Sequence, residues 1–112
     1  MHWPIWRVAV AERSMEPALR PGDWLLVWRP PRGRRRRSLR LRPGQIVVAR
    51  NPQQPQMLIV KRLAWAEAGG WWLGSDNPGA GAVDSARFGA VSPDLIEGRV
   101  LMKYKRSSSQ KA

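Results

Sequence analysis

Apolar residues in this chain come in short runs separated by proline and glycine. Trp3 to Val10 (WPIWRVAV) carries β-branched and aromatic residues in partial alternation, the pattern of an opening strand. Trp24 to Trp28 (WLLVW) is a brief apolar strand, and Gln45 to Arg50 (QIVVAR) is another, announced by Pro43-Gly44 and closed by Asn51-Pro52. Met57 to Ala64 (MLIVKRLA) follows. Glu67-Ala68-Gly69-Gly70 supplies the glycines of a tight reversal, so Met57 to Trp65 and Trp71 to Leu73 read as the arms of a hairpin. Glu97 to Tyr104 (EGRVLMKY) closes the series. Between the first two strands, AERSMEPALRPGD reads as a turn or a single helical turn ending at the Pro21-Gly22-Asp23 bend. Short strands between Pro/Gly turns, with no long helical period, predict a mostly β fold. The expected architecture is one compact domain of short strands and hairpins with one short helical turn.

At 112 residues the chain has room for one modest core. It contains no cysteine, so neither disulfides nor thiolate metal sites hold it together. Its one histidine, His2, stands beside Met1, which leaves no histidine for a Ser-His-Asp triad, a Cys-His pair or a metal cluster. No cofactor is expected. No apolar stretch approaches the roughly 18 residues of a membrane span, and no basic segment precedes an apolar run. These features predict a protein without a transmembrane segment, placed in the cytoplasm.

Charge changes the picture in one place. The formal net charge is +12, and much of the excess lies in WRPPRGRRRRSLRLRPG, which holds eight arginines between Arg29 and Arg42. Pro30, Pro31 and Gly33 interrupt this stretch and leave no periodic apolar face, so residues 29–42 read as a mobile basic loop on a single domain of residues 1–106. Such a loop is suited to peripheral contact with an anionic membrane or with nucleic acid, against the plainer reading of a solvated insertion. Residues 107–112 read as a disordered tail. Seven tryptophans exceed what a small core hides, so some are expected at the surface.

Ser14 follows a strand and opens a turn, a placement that exposes its hydroxyl near free backbone N–H groups. A serine there is more often a helix N-cap, and as a nucleophile it needs a neighbouring base. Without a usable histidine, that base is a carboxylate or a lysine able to be neutral near pH 7. Lys61 is the candidate, because it lies in an apolar strand and burial disfavours the ammonium form. Arg62 alternates to the opposite face and stays charged in any case. The plainer reading makes Lys61 a solvent-facing strand residue, and makes Asp76, Asn77, Asp84 and Ser85 the shapers of a turn.

The segments SMEPALRPGD, GQIVVAR, IVKRL and SDN with DSARFGAV and IEGRV resemble, in that order, the motif boxes of the signal peptidase I family. Within it, the WWLGSDNP hairpin is most similar to the nickel-type superoxide dismutase maturation proteases. The resemblance spans Val8 to Tyr104 apart from the arginine-rich insertion. It implies a signal-peptidase-like β domain acting as a serine endopeptidase, with Ser14 as nucleophile and Lys61 as general base. Met15 would flank the nucleophile, and Asp76, Asn77, Asp84 and Ser85 would support the site. The implied partner is a nickel superoxide dismutase precursor whose N-terminal propeptide is removed. Glu12 and Ala82 stand where the family often carries small or hydroxyl-bearing residues that assist the dyad. Ala86 falls where it carries arginine.

Three other readings stand beside this one. A basic nucleic-acid-binding module would use the arginines and tryptophans, but leaves the Ser14 and Lys61 boxes unexplained. A catalytically inactive relative would follow from the substitutions at Glu12 and Ala82. A self-cleaving regulator of the repressor type shares the Ser-Met and Val-Lys-Arg patterns. It is disfavoured because only thirteen residues precede Ser14 and the pairs Ala68-Gly69 and Ala80-Gly81 lie after it.

Overall fold

Six strands form one antiparallel sheet: β1 (Ile5–Ala9), β2 (Trp24–Trp28), β3 (Ile46–Asn51), β4 (Gln54–Glu67), β5 (Gly70–Gly74) and β6 (Ile96–Lys105). The computed structural model describes residues 4–106. The strands lie in the order β1-β2-β6-β3-β4-β5, so the closing strand inserts between the two halves of the sheet. The mostly β fold expected from the apolar runs is the fold observed. Trp3 and the tail at 107–112 fall outside the described residues.

Alternation places apolar side chains on both faces, as a sheet covered on each side requires. Val47, Ala49, Ile59, Leu63, Leu73 and Ile96 build one core cluster, closed by Leu39 and Val91. Leu25, Val27 and Val48 build the other with Val10, Met15 and Leu19 from the turn after β1. That turn is tied to the sheet by Val10 N–H donating to Asp23 O and Gly22 N–H donating to Val10 O, both at 2.8 Å. Gly98 allows β6 to approach β2, since a Cβ there would meet Val27 Cγ1 at 2.5 Å and the Trp28 carbonyl oxygen at 2.8 Å.

The arginine-rich stretch departs from expectation. It is not devoid of packed structure: a 3-10 turn at Arg32–Arg34 leads into a short helix, α1 (Arg35–Leu39). Its inward face consists of Arg35 and Leu39, one helical turn apart and both buried. Leu39 enters the core, while Arg35 reaches the buried carboxylate of Glu97 on β6 at 3.1 Å. A face made of one leucine and one arginine carries no apolar period, so hydropathy reads it as loop.

Glu97 is the anchor of this region. Its Oε1 accepts from Arg29 at 2.8 Å and from Arg35, and its Oε2 accepts from Arg50 Nε at 2.8 Å. Arg29 also lies over the Trp6 ring, 3.5 Å from its centroid. None of the described tryptophans is fully buried. Trp24 and Trp65 are exposed, and Trp65 stacks on Trp72 with centroids 5.2 Å apart. No helix among the described residues is long and apolar enough to cross a membrane.

Burial alone would raise the Glu97 pKa, but hydrogen bonds from Arg29 and Arg50 and the charges of Arg35 and Arg50 hold it below the usual carboxylate range. Its contribution to stability is therefore complete above the unfolded-chain value of about 4.3 and is lost as pH falls through the lower folded value. Glu97→Ala, which leaves the arginines facing a buried void of charge, is expected to cost about 3 kcal/mol in urea unfolding. Glu97→Gln is expected to lose, in the same measurement, the part of the wild-type acid dependence that this carboxyl supplies. Unchanged unfolding midpoints in both variants would refute this anchoring.

Candidate functional site

The buried positions of β4 alternate as Ile59, Lys61 and Leu63, so Lys61 occupies a place in the strand that otherwise belongs to core residues. Register sets Lys61 opposite Val47 of β3. Only 3% of Lys61 is exposed, and its Nζ lies 2.7 Å from Ser14 Oγ. Burial pushes the amine below its ordinary pKa, opposed by the negative charges of Asp84 and Glu12. Neutral lysine has one lone pair, and the nearby serine hydroxyl is a proton source for it.

Ser14 is held from below by the turn that carries it. Met15, the next residue, is 1% exposed and locked into the core cluster. Asn77 closes the turn from the other side: its backbone N–H donates to Ser14 O at 2.7 Å, and its side-chain amide donates to Arg13 O at 3.2 Å. Asp76 takes no part in that contact. It accepts two hydrogen bonds from Arg62, at 2.9 and 2.7 Å, on the other face of β4. Arg62 also donates to Gly44 O at 2.8 Å, which fastens the β4–β5 hairpin to the approach to β3.

A residue absent from the sequence expectation completes the group. Lys61 Nζ donates to Ser75 Oγ at 3.1 Å, and Ser75 donates its own proton to Asp84 Oδ2 at 2.6 Å. Because that hydroxyl proton is committed to Asp84, Ser75 Oγ can only accept from the lysine. One Lys61 N–H is thereby turned toward Ser75, and in the neutral amine the lone pair can then meet the Ser14 hydroxyl. Ala82 lines the cavity beside the site, and the hydroxyl touching the lysine comes instead from Ser75, directly after β5.

Asp84 has a second duty. It caps the short helix α2 (Ser85–Phe88), its Oδ1 accepting from Ala86 N–H at 2.9 Å. Ser85 is buried and accepts from Leu73 N–H at 2.7 Å, which ties α2 to β5. The two residues position the chain that carries Ser75 and do not touch Ser14 or Lys61 directly.

Ser14 and Lys61 open into a cavity of about 340 Å³ with walls from Val8, Val10, Met57, Ile59 and Val83. Glu12 is the acidic residue on its lining, exposed and two residues before Ser14. Among the described residues no group of three or more His, Cys, Asp or Glu side chains is arranged to hold a metal ion. The arrangement can transfer a proton between a hydroxyl and a buried amine beside an apolar groove, with no need of imidazole.

Two measurements probe this geometry. Ser75→Ala is expected to slow acylation of Ser14 by a serine-directed probe by roughly 10- to 100-fold while the melting temperature barely moves, and Ser75→Thr is expected to restore part of the rate. An unchanged rate in the alanine variant would remove Ser75 from the site. Glu12→Gln deletes a negative charge that favours the ammonium form, so Lys61 should lose its proton at lower pH. The acidic limb of the acylation rate should move to lower pH; no movement, or movement upward, would contradict this assignment.

Residues 6–92 match the peptidase S24-like family, a span that includes Ser14, Lys61, Ser75 and Asp84. No curated protein matches the chain. With the match extending over most of the sequence and over the whole of this site, the chain belongs to the peptidase S24-like family and carries a serine-type peptidase domain.

Proposed function

We propose that this protein is a serine endopeptidase in which Ser14 is the nucleophile and Lys61 the general base, and that it removes the N-terminal propeptide of a nickel superoxide dismutase precursor in the cytoplasm. The observation that carries the chemistry is the 2.7 Å approach of Lys61 Nζ to Ser14 Oγ at a buried site. The substrate rests on the motif resemblance, above all the WWLGSDNP hairpin.

In this mechanism, neutral Lys61 takes the Ser14 proton as Oγ attacks the scissile carbonyl carbon. The developing oxyanion is met by backbone N–H groups at the turn, including that of Ser14. Collapse of the tetrahedral intermediate breaks the C–N bond, and the Lys61 ammonium gives its proton to the departing amine. Lys61 then deprotonates a water that attacks the Ser14 ester carbon, the acyl C–Oγ bond breaks, and the Lys61 ammonium returns its proton to Ser14 Oγ. Ser75, held by Asp84, keeps the amine aimed through both half-reactions, and the cavity walls accept apolar side chains next to the cleaved bond.

Co-expression with a nickel superoxide dismutase precursor, followed by intact mass, tests both parts. Wild-type protein should shorten the precursor by its propeptide. Ser14→Ala, Lys61→Ala and Lys61→Arg should each reduce trimming by at least about 10³-fold, the arginine because it stays charged. Normal trimming by the alanine variants would end the dyad reading. An untrimmed precursor alongside wild-type protein that still acylates at Ser14 would end the substrate reading alone.

A further inference from the structure

The arginines that resemble a featureless charged run separate into two sets once folded. Arg29 and Arg35 turn inward to Glu97, and Arg50 joins them from β3. Arg32 and Arg36 stay exposed above them. Together Arg32, Arg35, Arg36 and Arg50 line an open cavity of about 290 Å³ whose floor is Glu97 and whose rim includes Asp94. Four guanidinium groups against two carboxylates leave this lining with an excess of two positive charges, and Arg29 shares the same Glu97.

The floor is hydrogen-bonded in place and incompletely used. Arg35 donates Nε to Pro30 O and Nη1 to Glu97, and Arg50 donates Nε to Glu97 and Nη1 to Pro55 O. Each guanidinium is thus clamped through two nitrogens, and its Nη2 lies outside these bonds. The rim carboxylate does little to neutralise the cavity: Asp94 approaches Arg36 only to 3.8 Å, with both side chains exposed. Arg29 Nε is buried with no hydrogen-bond partner among the described residues, a further sign that one carboxylate does not satisfy the cluster.

We propose that this cavity binds a phosphate dianion, free or as a monoester, with Arg35 and Arg50 as the fixed floor and Arg32 and Arg36 closing over it. Clamped guanidiniums suit an oxyanion because the N–H groups left on Nη2 are already oriented and no long side chain has to be ordered on binding. A phosphate monoester carries about −1.5 to −2 at neutral pH, which matches the excess charge of the lining, whereas a phosphodiester carries half of it. The site lies on β3, β6 and the arginine-rich insertion, separate from the Ser14 and Lys61 cavity, so its occupancy does not depend on the peptidase reading.

Isothermal titration of the full chain with inorganic phosphate, with chloride holding ionic strength constant, tests this. Phosphate should bind with one-site saturation, and Arg32→Ser/Arg36→Ser, which alters only exposed side chains, should weaken it at least tenfold while the circular dichroism spectrum is retained. Phenyl phosphate should bind like inorganic phosphate if the ligand is a monoester; binding of inorganic phosphate alone would identify the free ion. Failure to saturate, equal binding by the double variant, or tighter binding of dimethyl phosphate or of a short single-stranded oligonucleotide would overturn the proposal, the last two in favour of a nucleic-acid backbone.

Discussion

A primary amine buried inside a β-sheet must be neutral, paired or hydrogen-bonded, and Lys61 meets that demand with hydroxyls rather than with a direct carboxylate. Its Nζ reaches Ser14 and Ser75, and no carboxylate oxygen lies within ion-pair distance of it among the described residues. This is the interaction around which the site is arranged. A carboxylate in contact would hold the lysine charged, whereas burial with two hydroxyls favours the neutral amine. Asp84 acts one bond further out, through Ser75, where its proton demand orients the serine and its charge only partly restores the ammonium form.

The framework serves that arrangement. β4 brings Lys61 into the interior, the β1–β2 turn brings Ser14, and the β5–α2 segment brings Ser75 and Asp84. Three separate stretches of chain converge, and each is pinned by bonds that do not involve the lysine: Asn77 to the Ser14 turn, Ser85 to β5, and Arg62 to both Asp76 and Gly44. The basic end of the molecule is fastened independently. There Glu97 gathers three arginines, which compensates one buried carboxylate and leaves positive charge facing outward.

The apolar runs revealed most strands because a sheet with cores on both faces concentrates valine, isoleucine and leucine in short uninterrupted groups. They underestimated β4, which continues to Gln54 on one side and Glu67 on the other, since exposed polar ends extend a strand without an apolar signature. They missed α1, whose inward face is half arginine. Ser75 was hidden for a different reason. Counting back from the Glu67–Gly70 pair, a regular hairpin places Lys61 across from Asp76, but the irregularity between Leu63 and Trp65 shifts the register by one residue. Beyond that shift the serine, and not the aspartate, faces the amine.

By itself the sequence determined the fold class, the absence of thiol chemistry, and the identity of Ser14 and Lys61 as a pair worth joining, because strand alternation and composition are local properties. Tertiary structure decided which hydroxyl steers the lysine, that Asp76 belongs to Arg62 while Asp84 reaches the site through Ser75, and that part of the arginine run is anchored on a glutamate some sixty residues away. Those outcomes depend on a strand irregularity and on contacts between distant segments. Neither leaves a periodic trace in the order of residues.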